Sequence, residues 1–187
     1  MKITIISGSP RKQSVTVRVA RFLQKYLQEK YPAHQYTLVA MSEHPLPFVE
    51  KVWSTINDVP QEHKELALSV FEADAFILVT PEYNGSYSSA LKNLLDHFPK
   101  QAKKVFGIST ASPGAMGGMR AAQQMQNMIC GMFGVPCPNM LIVPAVDKKF
   151  NAESELVEDS FCNSVHTFAN EFIWLTEAVV NAKAAKG

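Results

Sequence analysis

The feature that most restricts what this chain can become is an alternation. A short β-branched, apolar run is followed by a turn and then by a stretch whose apolar residues recur at helical spacing. Lys2 to Ser7 is the first such run. It ends in Gly-Ser-Pro and leads into Val15, Val19, Phe22, Leu23, Tyr26 and Leu27, three and four apart, up to Tyr31-Pro32. The same reading expects strands at Gln35 to Ala40, Ala75 to Thr80, Val105 to Thr110 and about Asn139 to Val143. Helices are expected from Gln61 to Glu72, about Ser86 to His97 and about Gly118 to Phe133. A last helix, near Ala152 to Val180, carries Val157, Phe161, Val165, Phe168, Phe172, Leu175 and Val179 as one apolar stripe. Five strands alternating with five helices, the strands free of turn residues, imply an α/β fold: a parallel sheet buried on both faces with right-handed crossovers.

A chain of 187 residues is one domain by default, spanning residues 1–187, with the small, charged tail 182–187 expected to be flexible. A formal net charge of +1 argues against a nucleic-acid binder and against a strongly acidic electron shuttle, so the expected partner is a small molecule. The apolar run Ile3 to Ile6 is too short for a signal sequence and no stretch reaches membrane-spanning length, which leads to an expected cytoplasmic location and no membrane partner. Cys130, Cys137 and Cys162 are odd in number and lack CxxC spacing, so they are expected to be small buried hydrophobes rather than disulfide or zinc ligands. The histidines show no ligand-like spacing either, and no metal is assigned; His97 is expected to face solvent at a helix end. Met41 to Pro60 is too long for a simple connection and holds Pro45, Pro47, Phe48 and Trp53. It is either functional or interfacial, or a passive excursion packed by its own aromatics.

In an open parallel sheet, ligands bind where connections leave the carboxyl ends of the strands. Three segments should meet there. Ser7-Gly8-Ser9-Pro10-Arg11-Lys12-Gln13-Ser14-Val15-Thr16 combines small residues whose N–H groups can face an anion, hydroxyls at Ser9, Ser14 and Thr16, a guanidinium at Arg11 and a helix N-terminus. It is not a Walker loop, since Gln13 stands where glycine is needed. It has no GxGxxG and no cysteine nucleophile before its arginine, which leaves phosphate binding without chemistry at the phosphate. The second segment, Thr80-Pro81-Glu82-Tyr83-Asn84-Gly85-Ser86-Tyr87, suits a flat heteroaromatic ring. The third, Ser109 to Gly118, is small enough for a ring to approach its backbone.

Taken together, GSPRKQS at 8–14, TPEYNGS at 80–86 with ALKNLLD at 90–96, and SPGAMGG at 112–118 resemble the NADPH-dependent FMN reductase family in order and spacing. The resemblance implies a flavodoxin-like, doubly wound five-stranded parallel sheet in the order 2-1-3-4-5. It implies FMN as cofactor, NADPH or NADH as hydride donor, and a quinone, flavin, azo compound or metal oxyanion as small-molecule electron acceptor. It places the FMN phosphate at Ser9, Arg11, Ser14, Val15 and Thr16, and the ring and ribityl chain along Pro81, Glu82, Tyr83, Asn84 and Gly85. Ser112 and Gly114 close the other side, and no side chain of the protein is required as acid or base. Where relatives have Pro-Gly before the ALKN helix this chain has Ser88-Ser89, and where they have Asp-Trp after it this chain has Asp96-His97. A homodimer or homotetramer is implied as well. The alternatives are a flavodoxin-like electron carrier and a flavin-binding regulatory protein without turnover.

Overall fold

The computed structural model describes residues 1–185. Strands β1 (Lys2–Ser7), β2 (Gln35–Ala40), β3 (Ala75–Thr80) and β4 (Val105–Ala111) pair in parallel with β5 (Val135–Pro136), in the order β2-β1-β3-β4-β5. A short β6 (Leu141–Val143) also pairs in parallel with β4, Ser109 opposite Leu141. The fifth position of the sheet is therefore shared by two segments, where one continuous strand at Asn139 to Val143 was expected. Pro136 and Pro138 explain the break, because proline has no N–H to give to the ladder. Cys137, between them, still donates its N–H to Phe106 O at 2.8 Å.

Every residue of β3 and β4 is buried, as a central parallel strand covered on both faces requires. The period-two alternation divides the strand side chains between two cores. Ile3, Ile5, Ile77, Val79 and Val105 meet α1 (Thr16–Lys30) through Val19, Leu23 and Leu27, and α6 (Cys162–Ala184) through Phe168 and Phe172. Ile6, Phe76, Leu78, Phe106 and Ile108 meet α2 (Lys64–Phe71), α3 (Ser89–Asp96) and α4 (Met119–Gly131) through Leu66, Leu91, Leu94, Met125 and Ile129. The strand order reverses between β1 and β3, and the connections after these strands leave toward opposite faces, opening a crevice at their carboxyl ends.

The last helix begins ten residues later than its stripe suggested. Before it lie a one-turn α5 (Val146–Lys149), a bridge between Phe150 and Leu156, and a 3₁₀ turn at Asp159–Phe161. The Asn151 carboxamide oxygen accepts from Glu155 N at 2.8 Å, Ser154 takes φ +66°, and Lys149 pairs with Glu158 at 2.6 Å, a set of local contacts that holds this stretch out of helix. Val157, assigned to the stripe, is exposed. At the other end α6 continues to Ala184, into the tail expected to be flexible, and residues 186–187 of that tail lie outside the described residues.

Two further expectations are corrected. Only Cys137 is buried; Cys130 sits on the solvent side of α4 and Cys162 at the start of α6, both exposed. His97 is buried, its Nδ1 2.7 Å from Asn93 O and its ring 4.4 Å from that of Trp53. The long loop 41–60 explains this burial. It folds over α3, donating Trp53 N–H to His97 O at 2.7 Å, while Asn93 holds Pro47 O and Val49 N at 2.7 and 3.2 Å. Its aromatics thus serve packing at Trp53, whereas Phe48 is left exposed.

Candidate active site

The three loops meet at the carboxyl edge of the sheet around a cleft of about 360 Å³, within the range of small-molecule sites. Ser9, Arg11, Ser14, Val15 and Thr16 line it from the first loop, Pro81, Glu82 and Tyr83 from the second, and Ser112 from the third. Gln13, Ala111 and Pro113 line it too, and the sequence alone does not single them out as site residues. Asn84, Gly85 and Gly114 stand back from the cleft wall. Asn84 and Gly85, at φ +51° and +81°, are the two central residues of a hairpin closed by Tyr83 N to Ser86 O at 2.8 Å and Ser86 N to Tyr83 O at 3.1 Å. Asn-Gly is the preferred pair for such a turn, and its work is to present Tyr83. Gly114 donates its N–H to Ser112 Oγ at 3.1 Å and turns the third loop.

The first loop is built as an anion cradle. Ser9 and Thr16 are buried, Ser9 Oγ accepts from Arg11 N at 3.3 Å, and Ser14 Oγ accepts from Thr16 N at 3.1 Å. Among the described residues, no protein acceptor is found for the backbone N–H groups of Lys12 to Val15, which lead into the positive end of α1. Arg11 lies 4.9 Å above the Tyr83 ring, a cation–π contact that spans the mouth of the cleft. Hydroxyls, a guanidinium and free N–H groups in one concavity are the donor set of a phosphate monoester. The walls formed by Pro81 to Tyr83 and Ala111 to Pro113 leave a slot for a planar group. FMN has both parts, and the residues fit it.

Contacts beneath the loops keep them in register. Ser88 caps α3: its hydroxyl accepts from Leu91 N at 3.2 Å and donates to Gly8 O, while its N–H donates to Thr80 Oγ1 at 3.1 Å. Ser88 thereby ties the first loop to the second. Glu82, on the cleft wall, engages α4 through its carboxylate. Its Oε2 accepts from Arg120 N and Ala121 N at 3.2 and 3.4 Å, which caps α4 and joins the second loop to the helix that follows the third.

A larger hollow of about 600 Å³ lies elsewhere, lined by Met1, Lys2, Ala33, Gln35, Glu72 and Asp74. It is at the amino ends of β1 and β2, open, and occupied at its wall by the ion pair of Lys2 with Glu72 at 2.7 Å. It has neither the position nor the donor set of a ligand site in this architecture, and the smaller cleft is the candidate. Among the described residues no three His, Cys, Asp or Glu side chains gather as metal ligands, and no helix is long and apolar enough to cross a membrane.

Comparison with known proteins agrees with the geometry. The NADPH-dependent FMN reductase description matches residues 1–147. The chain belongs to this family. It is an FMN-dependent NAD(P)H oxidoreductase with a flavodoxin-like fold. An NADPH azoreductase of Bacillus sp. (strain OY1-2) is 30% identical over 162 residues, 86% of this reductase and 84% of that protein. Among solved structures, FerB, a flavoenzyme NAD(P)H:(acceptor) oxidoreductase from Paracoccus denitrificans, is similar with a TM-score of 0.77 at 22% identity over 94% of this chain and 97% of that one. A flavodoxin from Pseudomonas aeruginosa is similar with a TM-score of 0.57 at 20% identity over 92% and 99%.

Proposed function

We propose that the cleft holds FMN with its phosphate in the first loop and its ring between the second and third, and that the reductase serves a small-molecule acceptor of the quinone, flavin, azo or metal-oxyanion class. One observation carries this reading: an anion cradle and two ring-sized walls converge in a single cleft at the β1/β3 switch point. Bound FMN supplies the redox chemistry, taking hydride from the nicotinamide and passing electrons to the acceptor. The residues of the chain do the holding. Ser9, Ser14, Thr16 and the N–H groups of Lys12 to Val15 bind the phosphate, with Arg11 as its charged partner, while Pro81, Tyr83, Ser112 and the turn at Asn84-Gly85 and Gly114 shape the slot. Glu82 acts at one remove, by fixing its loop to α4. The azo class draws support from the named Bacillus relative.

The same reading has the enzyme working in the cytoplasm as a homodimer or homotetramer, and light scattering of the purified protein tests the assembly. Flavin absorbance tests the cofactor site, since protein that stays colourless after incubation with FMN would refute it. Steady-state NADPH oxidation with a quinone then separates a reductase from an electron carrier, which would show negligible turnover without a protein partner. A net charge of +1 lacks the strong field that steers carriers to their partners.

A further inference from the structure

Arg120, the second residue of α4, stands beside the second loop, next to the cleft-lining Glu82, without a task in the reading above. Its side chain is 62% exposed. The stem lies against the hairpin of the second loop, where a β-carbon added to Gly85 would be 3.7 Å from Arg120 Cδ, while Arg11 covers Tyr83 in the same hairpin. Two guanidiniums, one from the first loop and one from α4, therefore flank one turn. The amino end of α4 is itself closed to an incoming anion, because Glu82 Oε2 already accepts from the N–H groups of Arg120 and Ala121. Glu82 Oε1 is 3.5 Å from Arg120 Nη1, a loose pair in contact with solvent that carries little energy and leaves most of the five guanidinium N–H donors free.

We propose that Arg120 reads the 2′-phosphate of NADPH and sets the preference of this reductase for NADPH over NADH. The inference rests on the reading that FMN occupies the cleft, with Arg11 and the amino end of α1 committed to the FMN phosphate. A dinucleotide whose nicotinamide enters the same cleft must lay its adenosine across the rim, since the chain has no GxGxxG turn to hold it. A phosphate monoester there calls for a planar cation with several donors, and NADH presents nothing equivalent. The charge on Arg120 would equally suit a sulfonate or oxyanion on the acceptor, so the experiment has to separate donor from acceptor.

The test compares the FMN-loaded enzyme with Arg120→Ala, Arg120→Lys and Arg120→Glu. All three variants keep the backbone N–H groups that Glu82 uses, which protects the fold of the second loop. Calorimetric titration with 2′,5′-ADP and with 5′-AMP reads the phosphate site without turnover, and kcat/KM is measured for NADPH and NADH against an uncharged quinone. Arg120→Ala is expected to weaken 2′,5′-ADP about tenfold relative to 5′-AMP and to lower the NADPH/NADH ratio of kcat/KM by the same factor, as loss of one charged hydrogen-bonding partner implies. Arg120→Lys should lose less and Arg120→Glu more. An unchanged ratio and unchanged 2′,5′-ADP affinity would overturn the proposal. So would a loss that is equal for both nicotinamides and larger with a sulfonated azo dye than with the quinone, which would assign Arg120 to the acceptor. Failure of the unsubstituted protein to take up FMN would instead refute the cleft reading, and the 2′,5′-ADP titration, which needs no flavin, would still decide the role of Arg120.

Discussion

Ser88 is the residue through which stability and cofactor binding should fall together. Its hydroxyl is fully buried and does two things: it caps α3 at Leu91 N and it donates to Gly8 O in the first loop. Ser88→Ala removes the cap, a loss of about 0.5 to 2 kcal/mol. It also leaves the Gly8 carbonyl without its hydroxyl donor, a further penalty of about 1 to 3 kcal/mol. The two effects share one side chain and do not add fully, so a total of about 1 to 4 kcal/mol is expected. In a domain of ordinary stability, about 5 to 15 kcal/mol, that is a large fraction. It corresponds to a melting temperature lower by roughly 2 to 16 °C for a chain of this length. Urea denaturation at constant m reads the loss, and FMN titration of the same variant should show weaker binding because the loop has lost its tie to α3. Ser89→Ala, one residue on and exposed, is the control and should stay within about 0.5 kcal/mol of wild type. If Ser88→Ala is no worse than Ser89→Ala, the Gly8 contact does not hold the loop and the argument fails.

Further measurements bear on other parts of the structure. Arg11→Ala should weaken FMN by about 1.5 to 3 kcal/mol in a fluorescence titration, and an unchanged Kd would mean that the phosphate lies elsewhere. Lys104, whose Nζ is 3.3 Å from Val70 O at the end of α2, is pushed down from 10.5 to about 8 by burial, with Lys183 adding and Asp74 opposing. Between about pH 8 and 10.5 the unfolded chain therefore holds more protons than the folded one, so this group makes stability rise with pH across that window. After allowance for the part of the side chain that meets solvent, the gain is about 1 to 2 kcal/mol. Lys104→Met should flatten that slope, and an identical pH profile would contradict the assignment. Gly117 sits at φ +61°, and a β-carbon there would come within 2.7 Å of Ile142 Cγ2 and 2.8 Å of Pro144 N. Gly117→Ala should lower stability by about 2 to 4 kcal/mol from strain and overlap, and wild-type stability in the same denaturation assay would refute it.

Strands β1 to β3 fall where the sequence puts them because their signal is local. A run such as Ala75 to Thr80, apolar up to its last residue and bounded by Asp74 and Pro81, has few other folds open to it. The long final stripe misled at its amino end because helical spacing at Val157 says nothing about Asn151, Ser154 or the Lys149–Glu158 pair, which hold that stretch in loop. His97 was misplaced for a similar reason. Its burial depends on Trp53, more than forty residues earlier, and no local pattern reports that the loop 41–60 folds back over α3.

The division at the site is of the same kind. Residue chemistry and spacing alone put hydroxyls, a guanidinium and a helix start together in the first loop, since these need only neighbouring positions in the chain to act together. Even the turn at Asn84-Gly85 is legible as a backbone preference. What tertiary structure decided is the division of labour among those residues. It turned Glu82 into the cap of a helix that begins thirty-seven residues later, made Ser88 the tie to Gly8, brought Gln13, Ala111 and Pro113 into the wall, and left Arg120 exposed beside Glu82. The physical reason is range: backbone propensity and helix-end electrostatics act within a few residues, whereas a hydrogen bond or a packing contact depends on which distant groups the completed sheet brings within about 3 to 4 Å.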